Sequence, residues 1–181
     1  MRWFWIDRFT EFVSGQYATA VKNVTLAEEA VDEYVPSWPY LPASLVIEGM
    51  AQTGGLLVGQ LSDFRQRVVL GKINRCQFHG QAFPGDTLHF RAQLTSLQAN
   101  GAFVSGTVEK CGKPFCELEL MFAFLTDERF DDVQLFEPAA LCRMLRLLRM
   151  FEVGVNPDGS PISVPEQMVA AEKAVLLSST P

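Results

Sequence analysis

From residue 43 to about residue 64, apolar side chains fall on almost every face of a helical wheel, interrupted by Gly49, Gly54, Gly55 and Gly59. A helix that is apolar all round is a buried helix. Each interior glycine costs about 1 kcal/mol relative to alanine, so four of them predict that sheet backbone or a bound chain comes very close. On either side the period drops to two. Residues 8–13 and 17–23 read as strands joined at Ser14-Gly15, which is turn chemistry. Residues 68–74 and 77–83 read as two more strands ahead of a Pro84-Gly85-Asp86 turn. Residues 87–97, 102–110 and 115–125 alternate apolar and polar, parted by Asn100-Gly101 and Gly112-Lys113-Pro114. Asn-Gly between alternating runs is a strong hairpin signal, and strands in meander order predict one antiparallel sheet with one covered face.

Beyond an acidic link at 127–132 the period returns to 3.6. Pro138 suits a first helical position and Gly154 lies just past an end. The predicted helix over 138–153 carries Leu141, Met144, Leu145, Leu148 and Phe151 on one stripe and keeps Arg143, Arg146 and Arg149 off it. Ser163-Val-Pro-Glu166 has capping-box spacing and predicts a second helix over 164–176. The chain thus divides into a domain at 1–126 and a helical extension at 127–181.

Composition narrows the function. At 181 residues the chain is long enough to bury a real core, and a net charge of −6 argues against a nucleic-acid surface. No apolar run approaches the ~20 residues of a membrane span, and the hydrophobic start at Met1–Ile6 is too short for a signal peptide. Cys76, Cys111, Cys116 and Cys142 show no C-x-x-C pair, which predicts reduced thiols in a cytoplasmic protein. Cys111 and Cys116 flank the predicted 112–114 turn and are placed to face each other across it. No triad, metal cluster, phosphate loop or dinucleotide fingerprint is present, so no cofactor is expected.

One segment carries candidate chemistry. A loop punctuated by Pro36, Pro39 and Pro42 runs into the apolar helix, which holds a single acid, Glu48. A buried acid is costly unless paired or hydrogen-bonded. A carboxyl among apolar neighbours can also hold a proton near neutral pH and act as a general acid. The stretch from Tyr34 to Gln52 resembles the signature of the β-hydroxyacyl-acyl-carrier-protein dehydratases of bacterial fatty-acid synthesis. So do Ile6-Asp7-Arg8, Val21-Lys22-Asn23-Val24-Thr25 and Phe83-Pro84-Gly85-Asp86, in the same order. The resemblance covers roughly residues 2–126 and implies an α+β hot-dog fold, a curved antiparallel sheet wrapped around a long central helix. It also implies a homodimer whose sites are built from both subunits, with an acyl-carrier protein or coenzyme A thioester as substrate.

In that family a histidine stands fourteen residues before the glutamate; here Glu48 is present and the histidine position holds Tyr34. With an ordinary pKa near 10, tyrosine is ionised at pH 7 to about one part in a thousand, a handicap of about 4 kcal/mol as a base. Tyr34 therefore reads either as a hydrogen-bond donor to substrate or as an aromatic plug at the dimer seam. The family's helix-start donor maps to the Ala43 amide, where backbone N–H groups suit developing negative charge. Ser44 and Leu45 begin the helix, and Leu45, Ile47 and Phe83 are expected along the tunnel. Glu48 itself has a bland reading, a buried acid bonded to nearby backbone. Trp38, which replaces a second family histidine, reads as loop packing. His89, alternating opposite Leu88, Phe90 and Ala92, reads as a surface residue, as does His79. Two functions from different classes follow: an acyl-thioester dehydratase, or a silent acyl-binding or heterodimer-partner protein. Thioester hydrolysis ranks last.

Overall fold

The computed structural model describes residues 4–28, 38–125 and 135–178. Seven strands form one sheet in the order β3-β6-β5-β4-β2-β1-β7, where β1 is Arg8–Val13, β2 Tyr17–Asn23, β3 Val68–Phe78, β4 Thr87–Gln98, β5 Gly101–Lys110, β6 Lys113–Phe124 and β7 Gly154–Val155. The first six pair antiparallel, as the meander pattern predicts. β7, two residues from the extension, adds a short parallel pairing on β1. The central helix α1, Ala43–Gln60, packs chiefly on β4 and also touches β2, β3, β5 and β6. This is the α+β hot-dog arrangement. Register shifts in β1, β3, β4 and β6 supply the curvature, since bulges bend a strand.

Alternation decides the covered face. Leu88, Phe90 and Ala92 are buried while His89 and Arg91 face solvent. The α1 glycines do mark close approach, but what approaches is the Trp5 carbonyl ahead of β1 and aromatic rings, not the expected sheet backbone or bound chain. A Cβ on Gly49 would lie 2.7 Å from the Trp5 carbonyl oxygen, and one on Gly54 would lie 3.1 Å from the Phe122 ring. No helix among the described residues is long and apolar enough to cross a membrane.

Several boundaries differ from expectation, three of them in the body. α1 ends at Gln60 rather than near 64, because Asp63 and Phe64 adopt left-handed backbone and the Phe64 amide returns to the Gly59 carbonyl at 2.9 Å. Residues 68–83 hold one strand, not two. β3 runs through its two register shifts to Phe78, and the Ala82 carbonyl instead accepts the Leu41 amide. The turn between β5 and β6 is Cys111-Gly112, with φ of 53° and 70°, the double positive that a two-residue hairpin loop needs. Cys111, inside that turn, is exposed, and the neighbour of the Cys116 Sγ is Cys76, 4.0 Å away on β3. Burial first, then the Cys76 sulfur, holds the Cys116 thiol far above its ordinary value.

The predicted 138–153 helix is broken in two. α2, Pro138–Leu147, begins with Pro138 at its first turn, and both Glu137 carboxylate oxygens accept amides from Ala139 and Ala140. After a left-handed Arg149 (φ 61°), α3 covers Met150–Val153. α4, Glu166–Ser178, starts two residues later than expected, with Ser163 ahead of it. The stripe is buried as predicted at Leu141, Leu145 and Leu148 and half-buried at Met144 and Phe151; the three arginines are exposed. They are not idle: Arg146 makes a two-point contact with Glu172 (3.2 and 3.0 Å) and Arg149 bonds Glu152 at 2.6 Å. The Arg146 guanidinium outweighs partial burial and holds the Glu172 carboxyl below its ordinary range.

Candidate active site around Glu48

α1 starts directly after Pro42, whose carbonyl accepts the Leu45 amide at 2.9 Å; no side chain caps the first turn. Ala43 and Ser44 are exposed there, and Leu45 turns into the core. One turn on, Glu48 is half-buried, and its Oε1 accepts a hydrogen bond from Gln52 Nε2 at 3.0 Å. Gln52 is itself fixed, because its Oε1 accepts the backbone N–H of Trp5 at 2.9 Å. The i, i+4 spacing puts both side chains on one helix face. Gly49, on the same turn, admits the Trp5 carbonyl against the helix.

The strap that carries Trp5 is anchored by an ionic cluster. The Asp7 amide donates to the Val21 carbonyl at 2.7 Å, and Asp7 Oδ2 accepts from the Asn23 backbone and side chain at 2.8 and 2.9 Å. Lys22, nearly fully buried, pairs with Glu28 at 2.6 Å and Asp7 at 3.6 Å, and its ammonium lies 5.9 Å from the Trp5 ring centre. Removing one partner of such a buried pair strands the other charge, so the cluster fixes the strap and, through it, Gln52 and Glu48.

Glu48 and Gln52 open onto a cavity of about 990 Å³. Its α1 side is a single stripe, Glu48, Ala51, Gln52, Gly55, Leu56 and Gly59. Opposite stand residues 64–70, reaching the start of β3, and Leu141, Met144, Leu148 and Met168 of the extension, with Phe4, Phe122, Leu135, Phe136, Pro138 and Gln167 completing it. Three residues expected along the tunnel do not border this space within the chain. Leu45 sits one turn before Glu48 and is only 9% exposed. Ile47 lies about 100° round the helix from Glu48, past the Ala51 edge of the stripe. Phe83 belongs to a separate depression with Leu26, Trp38, Pro39 and Pro84, its ring edge-on to Trp38 at 5.9 Å. Trp38 is thus loop packing, as expected, though more than half exposed. Tyr34 lies outside the described residues.

The 83–86 motif is a structural turn. Asp86 accepts the Phe83 amide at 2.8 Å and the Lys110 ammonium at 3.0 Å. Burial pushes its carboxyl up, but these two donors outweigh it and leave it below the ordinary aspartate range. His79 is exposed with Glu117 3.7 Å away, and His89 faces solvent, so neither meets Glu48. Gln52 and Trp5 are what sequence reasoning missed. The Glu48–Gln52 spacing was a readable signal; the partner offered by Trp5 was not, because it arrives from 47 residues away.

Comparison with known proteins supplies the family. The FabA-like domain matches residues 3–113. A 3-hydroxyacyl-[acyl-carrier-protein] dehydratase FabZ from Listeria welshimeri is 36% identical over 121 residues, covering 65% of this chain and 83% of its own. Its counterpart from Bacillus licheniformis is 33% identical over 119 residues, with the same coverage. Among solved structures, the dehydratase heterocomplex ApeI:P from Xenorhabdus doucetiae superposes with a TM-score of 0.59 at 15% identity, covering 70% of this chain and 86% of that one. A hypothetical thioesterase with coenzyme A from Streptococcus pneumoniae gives 0.54 at 10% identity, covering 65% and 84%. At such identities these two speak for the fold; the sequence matches carry more, and they place the chain in the FabA-like family, with 3-hydroxyacyl-[acyl-carrier-protein] dehydratases among its relatives.

Proposed function

We propose that this chain is a dehydratase-type hot-dog protein acting on 3-hydroxyacyl thioesters of fatty-acid synthesis, with Glu48 as its acid–base group. The observation that carries this reading is the Trp5–Gln52–Glu48 relay, which aims the cavity's one carboxyl into a largely apolar space. Dehydration breaks a C2–H and a C3–O bond, forms C2=C3 and releases water. It needs a base at C2, an acid for the departing hydroxyl and donors for the developing enolate oxygen. Glu48 as carboxylate takes the C2 proton and, in the acid form so made, hands it to the departing hydroxyl, which leaves as water and restores the carboxylate. The uncapped N–H groups at Ala43 and Ser44 suit the thioester oxygen. Tyr34 of a second subunit donates a hydrogen bond to the substrate, with Leu45, Ile47 and Phe83 lining the entrance at the seam of a homodimer. An acyl-carrier protein is the natural carrier.

A second reading rests on Tyr34 itself. Without the family histidine, the chain serves as an acyl-binding or heterodimer partner, an arrangement for which the Xenorhabdus dehydratase heterocomplex is a precedent in fold. One experiment separates the two. The purified protein is incubated with 3-hydroxyacyl and saturated acyl thioesters, while enoyl absorbance and free thiol are followed separately. Enoyl formation lost at least a hundredfold in Glu48→Gln is the expected result. Activity gained only in Tyr34→His supports the silent reading, and thiol release without enoyl product overturns both.

A further inference from the structure

We propose that the C-terminal extension is the chain-length gauge of this site: the alkyl tail of the acyl group lies along α1 from Glu48 towards Gly59, against a wall made by Leu141, Met144, Leu148 and Met168. The inference rests on the acyl-thioester reading of Glu48 and adds the occupant and limit of the cavity. These wall residues all lie beyond residue 113, where the match to the FabA-like domain ends, so nothing in the family pattern accounts for them.

The wall is built rather than incidental. Leu141, Leu148 and Met168 are each at least nine-tenths buried. The Leu148 carbonyl accepts the Phe9 amide of β1 at 2.8 Å. α2 and α4 are clamped together by Arg146 and Glu172, and Gln167 Nε2 ties α4 to the Asp63 carbonyl just past the end of α1 at 2.7 Å. Gly55 and Gly59 let the rings of Phe122 and Phe64 close on the helix, at 3.3 and 3.1 Å from where a Cβ would be, and these rings complete the apolar lining.

The chemistry selects an alkyl chain. Apart from Glu48, Gln52, Gln167 and residues 65–67, the lining is apolar or glycine. A volume of about 990 Å³ is at the upper end for small-molecule sites. The stripe from Glu48 to Gly59 runs about 16 Å at ~1.5 Å per residue, room for an extended tail on the order of a dozen carbons. Because the tail leads away from the carboxyl, the reacting end of the thioester stays at Glu48 and the far end meets the extension.

The test measures binding without turnover. Acyl-pantetheine amides, which neither dehydrate nor hydrolyse at the acyl bond, are titrated calorimetrically from butyryl to palmitoyl. Wild-type affinity should climb up to about fourfold per methylene, the equivalent of ~0.8 kcal/mol, and then level off. Met144 is half-buried on the wall and outside the catalytic machinery. Met144→Trp should bring the levelling-off to shorter tails and weaken palmitoyl binding at least tenfold, with butyryl unchanged. Met144→Ala should move it to longer tails and carries the test should the tryptophan variant not fold. Leu147→Trp, on the exposed side of α2, should match wild type. The gauge is overturned by affinity that ignores chain length, by a Met144→Trp profile identical to wild type, or by a Met144→Trp change in dimerisation alone, which would mean a second copy fills the cavity. Enoyl formation from the matching 3-hydroxyacyl thioesters is assayed separately. Length-dependent binding without product would uphold the gauge and sink the dehydratase reading; product with a flat profile would do the reverse.

Discussion

In β4, Leu88, Phe90 and Ala92 go inward on every second residue while His89 and Arg91 stay out; in the extension, Leu141 and Leu145 go inward on a helical period that stops at Leu148. Both regions bury their apolar side chains, but they satisfy their backbones differently. Each strand between residues 8 and 124 finds its partners in neighbouring strands. The extension completes its backbone on the body: Leu148 accepts the Phe9 amide, and Val155 accepts the Ser14 amide at 2.9 Å beside the β7 pairing. The body's strands pair by their own pattern, whereas the extension takes its final shape from the sheet edge on which it docks.

Three substitutions put that contrast under load. The largest effect is expected at Leu145, fully buried on the docking stripe. Leu145→Ala should cost about 2–5 kcal/mol in urea unfolding, whereas Leu147→Ala, more than half exposed on the same helix, should stay within about 0.5 kcal/mol. Equal effects would mean the extension is an appendage rather than part of the cooperative fold. Next comes the body at its tightest point. Gly49→Ala drives a methyl to 2.7 Å from the Trp5 carbonyl oxygen and 3.0 Å from the Phe90 ring, so a loss of about 1–3 kcal/mol is expected. Gly80→Ala, with nothing within 4 Å, is the matched control. A neutral Gly49→Ala would show that the Trp5 strap yields. The smallest effect has the opposite sign: Arg149→Gly relieves the left-handed residue between α2 and α3 and should stabilise by about 0.5–1 kcal/mol. Its exposed contact with Glu152 is worth little, so a rise in Tm of about 2 °C is the readout.

The same contrast explains what was legible in the sequence. β1 and β2 match their predicted bounds to the residue, because alternation and the Ser14-Gly15 turn are local signals. The four α1 glycines announced close approach and found it in Trp5, Phe122 and Phe64. The break after α2 was not legible: nothing near Arg149 disfavours a continuing helix, and the cause is a β1 amide some 140 residues earlier that takes the Leu148 carbonyl. The site divided in the same way. Glu48 stood out as the single acid of an apolar helix, but the Trp5 amide that orients it through Gln52 and the extension wall across the cavity exist only once distant segments meet.

The seal on β1 also has a consequence in time. β1 leaves the ribosome well before residues 135–178, which supply acceptors for the Phe9 and Ser14 amides. At about 5–20 residues per second, synthesis of that segment alone takes on the order of seconds. Throughout that interval a nascent chain with a finished sheet offers β1 as an open edge, the kind of strand another chain can pair with. Yield in cells should therefore depend on how quickly residues 135–178 are translated, and a premature stop before residue 135 should send the product into aggregates.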